Sequence, residues 1–149
     1  MENQNKYQTK KKESNFTFQQ IISYVSCGVG LLSLLFLLCP GIYYSKVGYY
    51  SASFNLGNMI FGTDWAGANP GLLSAFIIMV VSSICVGIAA IKPNLAFFSV
   101  VGFICSAILW CCVIPLYGNY AAGVGNGIIC LITFNFVCAI LSFISATYR

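Results

Sequence analysis

Histidine is absent from this 149-residue chain, and Glu2, Glu13 and Asp64 are its only acids. General acid–base catalysis therefore has almost no candidates, and a metal would find neither imidazole nor a carboxylate cluster. The sequence predicts no enzyme, no catalytic residues, no cofactor and no metal site. Charge of either sign is scarce: 7% of residues are charged, against about 25% in ordinary soluble domains. The net charge of +4 lies on Lys6, Lys10, Lys11 and Lys12 near the N-terminus, on Lys46 and Lys92, and on Arg149. That distribution forms no basic stripe, so nucleic acid is excluded as a partner. The Lys10–Lys12 cluster instead suits anionic lipid headgroups. C-x-x-C spacing is also missing. The eight cysteines (27, 39, 85, 105, 111, 112, 130 and 138) all sit in apolar runs, which excludes a disulfide framework and a zinc site. They read as small, polarisable packing residues. Cys111-Cys112 lies within an apolar run with no neighbouring base, unlike the loop thiols of four-span thiol oxidases.

What the chain does have is apolar length, with 59% hydrophobic residues. Gly71–Ile91 and Leu95–Tyr117 carry no charged residue and are joined only by Lys92-Pro93-Asn94. A bilayer core of about 30 Å needs roughly 20 such residues as helix, so each run is long enough to cross it. Pro93 disfavours helical geometry at Lys92, and a three-residue link leaves room only for a reversal. Two further runs, Ile21–Cys39 and Gly127–Tyr148, have similar length and composition. The first is longer than a signal-peptide core, and Pro40-Gly41-Ile42-Tyr43-Tyr44 offers no small-x-small cleavage site after it. The predicted fold is all-α: an integral membrane four-helix bundle running up-down-up-down. Spans fall at about 21–39, 71–91, 95–117 and 127–148, with a disordered tail over 1–20, an inner turn at 92–94, and outer loops at 40–70 and 118–126.

Four spans put both termini on one side of the membrane. Six of the seven basic residues lie on that side and only Lys46 on the other, so the positive-inside rule makes the termini cytoplasmic. Asn15-Phe16-Thr17 matches a glycosylation sequon, but this topology places it in the cytosol.

The first outer loop is rich in aromatics: Tyr43, Tyr44, Tyr49, Tyr50, Phe54, Phe61 and Trp65, against the charges Lys46 and Asp64. Tyr and Trp favour the headgroup region. Tyr50, Phe54 and Phe61 share a helical face around Gly57, which predicts a short interfacial helix. Tyr49, Tyr50, Phe54, Phe61 and Trp65 are the candidate outer contact surface. Asp64 reads either as a binding determinant or as a turn residue between Gly62 and Gly67.

Small residues recur at helical spacing: Ser26/Gly30, Ser83/Gly87, Gly102/Ser106, Gly123/Gly127, and Cys138/Ser142/Ala146. Such faces let helices approach closely. Asn135 lies eight residues beyond Gly127, hence about 12 Å into the membrane, with Ser82, Ser83 and Ser106 at comparable depth. An amide there must face inward and bond to one of these serines or to a backbone carbonyl. Asn135, Ser82, Ser83, Ser106, Gly102 and Gly127 are thus the candidate packing residues, with pore lining as the functional alternative. No span holds a charged side chain, which argues against ion-coupled transport and against small multidrug pumps with their membrane carboxylate. The Arg and Glu of four-span glutathione-type enzymes are missing as well.

The layout resembles tetraspan proteins of the claudin and MARVEL type, although the claudin first-loop pattern is absent, since this loop holds one Trp and no Cys. The chain also resembles uncharacterised small four-span membrane proteins of Gram-positive bacteria, in which a Gly-x-Gly such as Gly123-Val124-Gly125 precedes the last span. That resemblance implies a bacterial plasma membrane and no particular activity. The expected function is contact: an accessory, scaffolding or regulatory subunit whose partners are membrane lipids and other membrane proteins or its own copies. The alternative is a passive channel, holin-like pore or uncharged-solute transporter formed by oligomerisation. An immunity protein shielding the membrane from a peptide toxin is a third.

Overall fold

The computed structural model describes residues 18–46, 50–62, 67–112 and 123–148. Four helices in it are long and apolar enough to cross a membrane: Phe18–Leu38, Pro70–Ala89, Asn94–Cys111 and Asn126–Thr147. The first is α-helical over 18–32 (α1) and tightens to a 3-10 helix over Ser33–Leu38. The others are α3, α4 and α5; α2 is a short helix, Leu56–Phe61. The long helices pack against one another as a helical bundle.

Local chemistry sets the ends. Asn69 caps α3, its Oδ1 accepting from the amides of Gly71 at 2.9 Å and Leu72 at 3.3 Å, with Pro70 in the first turn, where a missing N–H costs nothing. The chain then reverses through Lys92-Pro93, and Asn94 opens α4. At the N-terminus the helix starts before the predicted Ile21. Gln19 is buried and Gln20 Nε2 donates to Ala90 O at 3.4 Å, while Phe18 meets Tyr148 edge-on at 5.3 Å. Those contacts draw 18–20 out of the predicted tail into α1.

The contacts between helices follow a simple order. From α1 to α3, Gln20 meets Ala90, Cys27 meets Gly87, Gly30 meets Ser83 and Ser33 meets Met79. From α1 to α5, the Ser23 and Ser145 hydroxyls lie 2.7 Å apart and those of Ser26 and Ser142 3.2 Å apart. From α3 to α4, Ser82 meets Gly102 and Ser106 Oγ donates to Ala75 O at 2.9 Å. In every pair the residue number falls on one helix as it rises on the other. Helix α4 in turn packs on α5.

The bundle differs from a soluble protein in both its interior and its surface: small polar side chains are buried among the apolar core residues, and large apolar ones face outward. Ser23, Ser26, Ser33, Ser82, Ser83, Ser99, Ser106, Ser142 and Ser145 are buried together with Asn135. Facing outward are Ile77, Val81, Ile84 and Ile88 on α3, and Phe97, Val101, Ile104 and Ile108 on α4. Each set repeats at three or four residues, so a full stripe of large apolar side chains faces the surroundings. Such a surface suits hydrocarbon as solvent; these are the features of an integral membrane protein.

The segment expected to form the first outer loop departs from expectation. In place of one interfacial helix spanning Tyr50 to Phe61, β1 (Pro40–Lys46) and β2 (Tyr50–Asn55) form an antiparallel hairpin, and only Leu56–Phe61 is helical. A third strand, β3 (Gly123–Val124), pairs with β1 opposite Tyr43 and Ile42, giving the order β2-β1-β3. The reason lies in Tyr50-Ser51-Ala52-Ser53-Phe54, where Tyr, Ala and Phe alternate with serine and so fit a pleated strand as well as a helical face. Pairing with β1 satisfies backbone groups that one short, isolated helix would leave open.

Candidate functional site

Two places concentrate polar or close-packed features: a seam through the middle of the bundle and a cap over one end.

In the seam, most hydroxyls bond inside the chain. Ser82 Oγ donates to Ile78 O at 2.7 Å and Ser83 Oγ to Met79 O at 2.9 Å, each one turn back on α3. Ser99 does the same to Leu95 O at 3.1 Å on α4. Others cross between helices, as Ser106 does, or as Ser26 does to Cys138 O at 3.3 Å. Ser33 Oγ donates to Gly30 O three residues back, consistent with the tightening to a 3-10 helix at this point, and also reaches Met79 Sδ at 3.4 Å.

Asn135 lies where α1, α3 and α5 converge. It is 2% exposed, and its Nδ2 donates to Leu131 O at 2.8 Å, with Met79 Sδ at 3.7 Å. Its partner is therefore a carbonyl of its own helix, the second of the two options the sequence left open. Among the described residues its Oδ1 has no partner, and neither has the indole N–H of fully buried Trp110. Met79 serves as the shared soft acceptor for Ser33 and Asn135, a role its polarisable thioether fits.

Glycines make the close approaches possible. A Cβ at Gly102 would land on Ser82 Oγ, and one at Gly30 on Ser83 Oγ. The stripes picked out from sequence thus pair with one another: Ser26 with Cys138 and Ser142, Gly30 with Ser83, Gly87 with Cys27, and Gly102 with Ser82. They are used in contacts inside the chain.

The cap joins the C-terminal end of the first long helix to the start of α5. The Gly125 amide donates to Gly41 O at 2.7 Å, and the Leu56 amide to Cys39 O at 3.0 Å. A Cβ at Gly125 would land on Pro40 O, and one at Gly127 would come within 2.9 Å of the same oxygen. Gly125 and Gly127 are needed here because two backbones touch. No protein family, no curated protein and no solved structure matches this chain.

Leu56, Met59 and Ile60 of α2 are buried against the bundle, while Phe61 is 57% exposed and meets Phe76 edge-on at 5.5 Å. Phe54 is half-buried and packs on the core; Tyr43 is exposed. Of the predicted outer surface, Phe54 and Phe61 are thus placed in the cap, and the backbone of Tyr50 opens β2. Tyr49, Trp65, the lipid-directed Lys10, Lys11 and Lys12, Asp64, and the Pro115–Tyr117 end of the predicted third span lie outside the described residues. Sequence reasoning missed Ser23, Ser33 and Ser145, which fall off the strict four-residue stripes. It also missed β3, two residues long, whose one signal was Gly123-Val124-Gly125.

Among the described residues, no three metal-ligating side chains cluster. The exposed cysteines Cys105, Cys111 and Cys112 and the buried Cys138 are all free thiols.

Proposed function

We propose that this is a non-enzymatic membrane protein that works by contact, as an accessory, scaffolding or regulatory subunit, with the cap as its recognition surface. The bundle stands in the bacterial plasma membrane with an up-down-up-down course and both termini in the cytoplasm. The opposed residue order in three helix pairs supports that course, and the excess of Lys and Arg on the terminal side supports the orientation.

One observation carries the reading: the inward serine hydroxyls find partners inside the chain, on a facing helix or on a carbonyl of their own helix, so the parts left to meet another molecule are the cap and the apolar outer faces. On the cap, Tyr43 and Phe61 are exposed beside a backbone fixed by Gly41 and Gly125. A rigid frame that presents aromatics at the membrane edge is the arrangement expected of a protein-contact surface. The alternative of a pore between copies has less support. Asn135, Ser82, Ser83 and Ser106 are 4% exposed or less within one chain and would have to turn outward to line a lumen.

The test is a photo-crosslinker at Tyr43 or Phe61, activated in native membranes and read by mass spectrometry. The same label at Ile140, on the outer face of α5, serves as control. The reading predicts a protein adduct from the cap positions that is absent at Ile140. Lipid adducts alone from all three positions would overturn it.

A further inference from the structure

A groove of about 480 Å³ runs along the outside of the bundle between α3 and α4. Ile77, Val81 and Phe98 form its walls, Ser82 and Gly102 its floor, and Leu95 stands at its lower end. At its floor α3 and α4 approach closely: the place a Cβ of Gly102 would take is filled by Ser82 Oγ, which turns back to Ile78 O. Its lining is almost wholly apolar.

We propose that this groove seats one acyl chain of an anionic phospholipid whose headgroup is held by Lys92. The inference rests on the reading that the four helices stand in a membrane. Three features argue for this occupant. The first is length: the lining spans nine residues on α3 and eight on α4, a rise of about 10–12 Å at 1.5 Å per residue. Half of a bilayer core is about 15 Å, so the groove has the depth of one leaflet, whereas a second spanning helix would need a seat along the whole core. The second is position. The groove begins one turn above Lys92, whose carbonyl accepts from the Leu95 amide at 3.0 Å. The third is charge. Lys92 is exposed and is the only charged residue among those whose side chains the structure describes. Its long stem allows the ammonium to reach the phosphate layer while the lipid chain lies along Leu95 and Phe98. By the positive-inside count this turn faces the cytoplasmic leaflet, where anionic lipid is concentrated.

The experiment uses the full chain in phosphatidylcholine vesicles containing a fixed share of lipid brominated on its acyl chains, either phosphatidylglycerol or phosphatidylcholine. Phe98→Trp places a fluorophore at the groove, and Ile140→Trp places one on the outer face of α5 as control; each is read as the difference from the parent protein. One lysine near the surface contributes roughly a five-fold preference for anionic lipid. Brominated phosphatidylglycerol should therefore quench Phe98→Trp with about five-fold higher relative association than brominated phosphatidylcholine. The ratio should fall to about one in Phe98→Trp/Lys92→Gln and be close to one at Ile140→Trp. Equal quenching of Phe98→Trp by both lipids would overturn the proposal while leaving the membrane reading intact, and so would a ratio indifferent to Lys92→Gln. Quenching by both lipids that fades as protein density rises would make a second copy the occupant and overturn it too. No quenching by either lipid at either position would overturn the membrane reading and the site with it.

Discussion

Gly102→Ala is the substitution whose cost the structure defines most sharply. The added Cβ would land on Ser82 Oγ and lie 3.2 Å from Ser82 Cβ. Ser82 Oγ is held by Ile78 O at 2.7 Å, so the hydroxyl must leave that bond or α3 and α4 must separate. Overpacking of this kind costs about 1–3 kcal/mol. The remedy is equally specific. Ser82→Gly removes both atoms that the new methyl meets, returning the volume added at Gly102. Alone, Ser82→Gly should cost about 1 kcal/mol as a helix-interior glycine. The double variant should therefore be more stable than the sum of the two singles by about 1–2 kcal/mol, a coupling well above the few tenths expected of independent sites. Reversible unfolding in mixed micelles, followed by circular dichroism for all four proteins of the cycle, measures this directly. Additive costs, or a Gly102→Ala variant within a few tenths of a kcal/mol of the parent, would refute the close approach of α3 and α4 at this point.

Other positions differ in ways the same assay separates. Gly125→Ala meets the backbone atoms of Pro40 and Gly41, so it should cost at least as much as Gly102→Ala, and no small substitution at a neighbouring side chain should rescue it. Ser26→Ala removes contacts with Ser142 and Cys138 O, but hydrogen bonds between membrane helices average about 0.6 kcal/mol, so the loss should be that small; a loss above about 2 kcal/mol would mean the seam is more than helix pairing. Asn135→Leu tests the pore alternative: vesicles holding parent or variant should be equally tight to a small uncharged dye, and a leak in the parent that the variant abolishes would restore the channel reading.

The four helices were legible because lipid leaves a long signal: some twenty apolar residues without charge are hard to place elsewhere. The inward direction of Asn135 was legible for a related reason, since an amide in hydrocarbon must find a partner. The choice between a serine and its own Leu131 carbonyl was not, because that depends on where Met79 and Ser33 come to rest. The small-residue stripes were visible, but a stripe carries no address. Gly102-xxx-Ser106 suits a partner chain or a neighbouring helix alike, and contacts such as Gly102 with Ser82 decide it. The cap was the hardest part to read. Tyr50 to Phe54 fits a strand and a helical face equally, and only pairing with Ile42 to Lys46 selects the strand. A two-residue strand eighty residues away leaves no periodicity to detect. Its trace was the pair of glycines, Gly123 and Gly125, whose need is clear only once Pro40 and Gly41 are seen against Gly125.

The central claim is that the polar stripes close this bundle upon itself within one chain. The most direct test is the pair Ser23→Cys and Ser145→Cys in a background whose eight native cysteines are replaced by alanine, oxidised in native membranes. The two hydroxyls are 2.7 Å apart. The account predicts a disulfide within the monomer, seen as a shifted monomer band that reverts on reduction. A product made only of disulfide-linked dimers, or no disulfide at all, would contradict it.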